Sequence, residues 1–304
     1  MQGIFFKLND MKRLIILYLL LSQVMACFAQ DELVTELKSL INGKKATVGV
    51  AIVFNGSELM TINNQYRFPL MSVAKFHLAL TVLHHLDKAD QPLDMELLVK
   101  PDDLRPNTYS PMRDRCPDGN YTMTVGDLLR YSISQSDNIA TDILYKYVGG
   151  PKAVQKYMEK LRIPDVNISM TEAEMEAEEM NEYENWCTPA SAVLAMETFL
   201  QSNLFPQSYK LFLERALVDS NTGQNKIKAL LPADKVLVGH KTGSSKRNEY
   251  GIKIADNDVA FCVLPDGSHY SLAVFLMNSQ ESDADNAALI ARISQAVYNY
   301  YLHH

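Results

Sequence analysis

Strand-forming sequence lies at both ends of this chain, and helix-forming sequence lies between them. Thr47 to Phe54 is rich in Val and Ile, and Asn55-Gly56 gives a hairpin signal ahead of Glu58 to Ile62. Three more β-rich runs cover Val236 to Ser245, Asp258 to Leu264 and Tyr270 to Asn278, with Pro265-Asp266-Gly267 turning between the last two. From Ser72 to Leu86 the apolar spacing becomes helical, and helical character dominates through Leu213. Strands joined by short turns pair antiparallel, so the two chain ends must meet in one sheet. Amphipathic helices predicted over Asp31 to Ile41 and Asp283 to Tyr301 supply faces to cover it. The expected fold is therefore α/β (α+β): an antiparallel five-stranded sheet flanked by helices, plus an all-helical lobe. Residues 30–70 and 215–304 form the sheet lobe and 71–214 the helical lobe, with a ligand expected in the cleft between them.

Charge and composition narrow the function classes. The 304 residues carry 29 Lys+Arg against 36 Asp+Glu, a formal charge of −7, and no basic block, which argues against a nucleic-acid partner. Residues 1–29 read as a secretory signal peptide: Lys12-Arg13, an apolar run from Leu14 to Ala26, then Cys27-Phe28-Ala29 before the cut. That run is shorter than the ~20 residues a bilayer span needs, so the mature chain 30–304 is expected to be periplasmic or secreted, with no transmembrane span. Lipidation of Cys27 is the competing reading of the same segment. Cys116, Cys187 and Cys262 are too few and too widely spaced for a disulfide framework. The seven His form no H-x-H or H-E-x-x-H pattern, so neither metal nor cofactor is expected. A monomer acting on a small molecule is the expectation.

Three short motifs carry the chemistry. In Ser72-Val73-Ala74-Lys75 the i, i+3 spacing on a helix lets Lys75 Nζ reach the Ser72 hydroxyl. An alcohol needs such a base before it can attack a carbonyl, and a helix start sets partial positive charge beside the oxyanion that forms. Ser136-Asp137-Asn138 and Lys241-Thr242-Gly243 follow at a distance. Alone, each fits a bland role: a surface Ser and Lys, a helix cap, a strand end. Their joint occurrence, in this order and on these elements, resembles the set shared by class A serine β-lactamases and penicillin-binding proteins. The resemblance covers almost the whole mature chain and is strongest to the PER- and CfxA-like, extended-spectrum branch of class A.

That resemblance implies a role for each residue. Ser72 is the nucleophile; Lys75, or Glu172 through a water, takes its proton; Ser136 protonates the lactam nitrogen, and Asn138 binds the substrate amide. Lys241 and Thr242 hold the substrate carboxylate, while Ser244 N–H joins Ser72 N–H in the oxyanion hole. Tyr109, in Asn107-Thr108-Tyr109-Ser110-Pro111, forms an aromatic wall. Hydrolysis of the acyl-enzyme needs a further Glu, and seven Glu lie between Thr171 and Asn185; position relative to Asn185-Trp186 and likeness to the PER-like branch select Glu172. Two departures stand out. Glu176 occupies the place where the family usually has Asn, and Met170 the place of an Arg whose salt bridge usually closes the loop. The implied activity is β-lactam hydrolysis with cephalosporins preferred, conferring resistance. The alternatives are a D-alanyl-D-alanine peptidase of the penicillin-binding class and a non-catalytic cell-wall-binding module.

Overall fold

A computed structural model describes residues 31–303; the expected signal peptide and Cys27 lie outside the described residues. Helix α1 spans 31–41. It is followed by β1 (Thr47–Phe54), β2 (Glu58–Ile62), β3 (Phe68–Pro69), a 3-10 turn at Met71–Val73, α2 (Ala74–Lys88), β4 (Glu96–Val99), α3 (Pro111–Arg115) and β5 (Tyr121–Thr124). Next come α4 (Val125–Ser134), α5 (Asn138–Val148), α6 (Pro151–Lys160), β6 (Val166–Asn167), α7 (Glu172–Ala177) and β7 (Trp186–Cys187). Helices α8 (Pro189–Gln201) and α9 (Gln207–Val218), strands β8 (Leu237–Ser244), β9 (Lys253–Val263) and β10 (His269–Ser279), and α10 (Asp283–His303) complete the chain.

The main sheet has the order β2-β1-β10-β9-β8 and every pairing is antiparallel. Asn55 and Gly56 both take positive φ, as a tight hairpin between β1 and β2 requires. Alternation along the strands divides the interior in two. Val48, Val50 and Ile52 of β1 pack with Leu33 and Leu37 of α1 and with Ile290, Ile293 and Val297 of α10. Ala51 and Val53 point the other way, into a core shared with Phe261, Phe275, Val193 and Met196. Truncating a side chain such as Phe275 to Ala would cost about 3–5 kcal/mol.

Helix α2 is buried along most of its length, from Ala74 to Leu83 and again at Leu86, as expected of a helix apolar on all sides. It forms the axis of the middle segment. That segment is not all helix. β4 and β5 pair as a ribbon, and β6 and β7 join β3 in a second small sheet. Strands of two to four residues are too short for alternation to register in sequence. β9 also begins at Lys253, five residues before the expected start. Lys253, Asp256 and Asn257 read as loop by polarity, yet all three are buried, and the fold brings Asp283 to Lys253, Lys226 to Asp256 and Pro69 O to Asn257 Nδ2.

Candidate active site

Strand β8 and the turn before α2 meet at Gly243. A Cβ there would lie 2.3 Å from Leu70 O and 3.1 Å from Ser72 N, so only glycine permits the approach. Asn257 secures the same segment from β9, donating through Nδ2 to Pro69 O at 2.7 Å. Met71 takes a φ of 48° as the chain turns toward α2. Ser72 therefore sits in the turn ahead of the α-helix, not within it. Its hydroxyl makes no hydrogen bond to a described residue, and it opens onto two cavities of about 430 and 290 Å³. Ser72, Tyr109, Asn138 and Ser244 line both of them.

Lys75 is 1% exposed. Its Nζ donates to Ser136 O at 2.7 Å and to Asn138 Oδ1 at 2.5 Å, and lies 3.7 Å from Glu172 Oε1. Those bonds, rather than one to Ser72, are what the ammonium makes in the structure. Burial lowers Lys75 from its ordinary range, against the opposing pull of the Glu172 charge. Burial raises the Glu172 carboxyl, with Lys75 opposing and Glu176 adding. Both shifts favour the neutral forms of the pair.

Ser136 takes a φ of 59° between α4 and α5. Lys241 Nζ donates to Ser136 Oγ at 2.9 Å, which leaves the serine's own proton free for another acceptor. Lys241 is fully buried, and burial followed by the Lys75 charge pushes it well below its usual range. The larger cavity is walled there by Thr242, Ser244 and Lys226. Lys226 donates to Asp256 Oδ1 at 2.5 Å and to Ser244 Oγ at 3.1 Å. Asp137 is a structural residue, accepting from Ser110 Oγ, Met112 N and Ala140 N. Asn138 has both ends of its amide engaged inside the protein: Oδ1 with Lys75, and Nδ2 with Thr108 Oγ1 at 3.0 Å and Glu176 Oε1 at 2.9 Å.

Helix α7 starts at a capping box in which Thr171 Oγ1 accepts from Glu174 N and Glu174 Oε2 accepts from Thr171 N. That turn aims Glu172 inward. Of the seven Glu in the loop it alone is buried, and its Oε1 has no hydrogen-bond partner among the described residues. Asp142 of α5 accepts from Glu172 N at 2.8 Å and Ala173 N at 3.1 Å. Burial, with the Glu172 charge adding, pushes Asp142 up to about 6. With Met170 in the place of the family's Arg, the loop is closed by Asn185. This buried side chain accepts from Ser169 N and Met170 N at 2.8 and 3.0 Å and donates to Met170 O at 2.8 Å.

The profile of the β-lactamase enzyme family matches residues 32–301. The chain belongs to the β-lactamase enzyme family. This β-lactamase is 45% identical to a β-lactamase of Bacteroides uniformis over 93% of its own length and 96% of the relative's. It is 36% identical to the extended-spectrum β-lactamase PER-1 of Pseudomonas aeruginosa, over 90% and 89% of the two chains. A crystal structure of a class A β-lactamase from Bacteroides cellulosilyticus superposes with a TM-score of 0.88 at 46% identity, covering 91% of this chain and 99% of that one. Class A membership agrees with the sequence motifs. Arg105, Asp142, Asn185, Lys226 and Asn257 belong to the site's framework but carry no motif. Among the described residues no group of three or more His, Cys, Asp or Glu could hold a metal ion, and no helix is long and apolar enough to cross a membrane.

Proposed function

We propose that this class A enzyme hydrolyses β-lactams through an ester on Ser72. One observation carries the reading: the Ser72 hydroxyl opens onto both cavities, while buried Lys75 and Glu172 lie 3.7 Å apart behind it. Ser72 Oγ attacks the lactam carbonyl as its proton passes to Lys75, or to Glu172 through a water. The tetrahedral oxyanion lies at the backbone N–H groups of Ser72 and Ser244, which the glycine at 243 allows to approach. Collapse breaks the C–N bond, and Ser136, its oxygen already holding a bond from Lys241, gives its proton to the nitrogen and is reprotonated with the proton that the base took from Ser72. Glu172 then takes a proton from water as its oxygen attacks the ester, and on collapse the C–O bond to Ser72 breaks as that proton is passed to Ser72 Oγ, which leaves Glu172 ionised again. The product is the ring-opened β-amino acid.

Thr242 presents its hydroxyl to the substrate carboxylate, and Lys241 and Lys226 supply the positive field behind it, while the Ser244 hydroxyl is held by Asp256 and Lys226. Tyr109, 56% exposed, forms a wall common to both cavities. The smaller cavity runs from Ser72 past Tyr109 to the α7 loop and has room for a bulky acyl substituent. Together with the extended-spectrum name of the PER-1 relative, it supports cephalosporins as the preferred class and resistance as the consequence. Export of residues 30–304 behind a signal peptide rests on the Lys12-Arg13 and apolar segment, and the division into lobes of 30–70 with 215–304 and of 71–214 belongs to the same reading. Intact mass of the mature chain after brief mixing with a cephalosporin tests the covalent step. An adduct on Ser72, absent in Ser72→Ala, is expected; turnover by Ser72→Ala would overturn it.

A further inference from the structure

One guanidinium ties both ends of the short helix that carries Glu172 to the rest of the site. Arg105 lies in the loop ahead of Tyr109. Its NH2 group donates to Asp142 Oδ2 at 2.6 Å and its NH1 group to Glu176 Oε2 at 2.9 Å. Asp142 in turn accepts the backbone N–H groups of Glu172 and Ala173 at the start of α7. Glu176 lies near the other end of α7 and accepts through Oε1 from Thr108 Oγ1 at 2.6 Å and Asn138 Nδ2 at 2.9 Å. Every group facing Glu176 in these contacts is a donor: Arg105 on Oε2, and Thr108 and Asn138 on Oε1. The residue in the usual place of a water-holding Asn is thus occupied as a strut. Burial would lower the Arg105 guanidinium, but the bonds and charges of Glu176 and Asp142 outweigh that and raise it.

We infer that Arg105 is a positioning residue for deacylation: by clamping Asp142 and Glu176 it fixes α7 and thereby aims Glu172. The inference rests on the reading of Glu172 as the water-activating base. Without the guanidinium, three carboxylates, Glu172, Asp142 and Glu176, face one another with Lys75 as the nearby cation. Asp142, already at about 6, would then take up a proton at higher pH and its two backbone bonds would weaken. With Lys75 as the base for Ser72, acylation does not need Glu172 to be aimed, so it should suffer much less than deacylation. A lysine cannot replace the fork, because one ammonium on a flexible stem does not hold two carboxylates in fixed planes.

The test is pre-steady-state kinetics with a chromogenic cephalosporin on the mature chain, reading acylation from the burst and deacylation from its decay, for wild type, Arg105→Ala, Arg105→Lys and Glu172→Gln. Deacylation is expected to fall by about 10- to 100-fold in Arg105→Ala, with acylation within about twofold and the acid limb of deacylation moved to higher pH. Arg105→Lys should fall between and gives the same readout if the alanine variant does not fold. Unchanged deacylation, or equal losses in both steps with no movement of the acid limb, would overturn the role of Arg105. Normal turnover by Glu172→Gln would instead overturn the reading on which it rests.

Discussion

Lys75 Nζ lies 3.7 Å from Glu172 Oε1, and neither side chain is more than 6% exposed. Little water screens the pair, so each group sets the proton affinity of the other. Deacylation requires ionised Glu172, and burial has raised its pKa. Activity in that step should therefore fall with decreasing pH at a point above the ordinary Glu value of 4.5. Replacing Lys75 by Ala removes the opposing cation and should move the limb higher still. Single-turnover decay of the acyl-enzyme across pH measures both limbs. A limb at or below 4.5, or one unmoved by Lys75→Ala, would contradict this coupling.

Gly243 is the residue that admits β8 to the Ser72 turn. In Gly243→Ala the new methyl would press on Leu70 O, a backbone atom that cannot swing aside. Overpacking of this kind costs about 1–3 kcal/mol, which urea unfolding would show as a lower midpoint. The larger effect should be chemical, because Ser72 N and Ser244 N would no longer converge. Acylation is expected to slow by about 100-fold, and a rate within threefold of wild type would show that the close approach is dispensable.

Thiol reactivity offers a test of packing rather than chemistry. Cys187 and Cys262 are fully buried, and burial raises both thiols, Cys262 to about 12. Cys116 is partly exposed, and all three are free. An aromatic disulfide reagent should titrate one thiol in the native mature chain and three after denaturation. Two or three fast thiols in the native state would mean that the β3–β7 or β9 packing is wrong.

The sheet was legible because β1, β8 and β10 are long apolar runs, and the hairpin because Asn55-Gly56 can adopt positive φ cheaply. The motif residues were legible because serine chemistry needs fixed groups on one helix turn and one strand. What escaped was whatever owes its meaning to distant partners. The start of β9 looks like loop in sequence because Lys253, Asp256 and Asn257 find their partners, Asp283, Lys226 and Pro69 O, on other segments. Arg105 has the look of a surface residue until α5 and α7 bring Asp142 and Glu176 to it. Asn185 served in sequence only as a marker of loop position, although its amide closes the loop where Met170 cannot. The choice of Glu172 among seven carboxylates drew on resemblance; burial then distinguishes it from its neighbours.

Glu172, rather than Glu176, is the group that frees Ser72 in the proposed mechanism. Intact mass and turnover on a chromogenic cephalosporin, compared across wild type, Glu172→Gln and Glu176→Gln, address it directly. Wild type should turn over many times, and Glu172→Gln should halt as a stable adduct after one equivalent. Glu176→Gln should keep turning over at a reduced rate. Continued turnover by Glu172→Gln alongside a stalled Glu176→Gln would contradict the assignment.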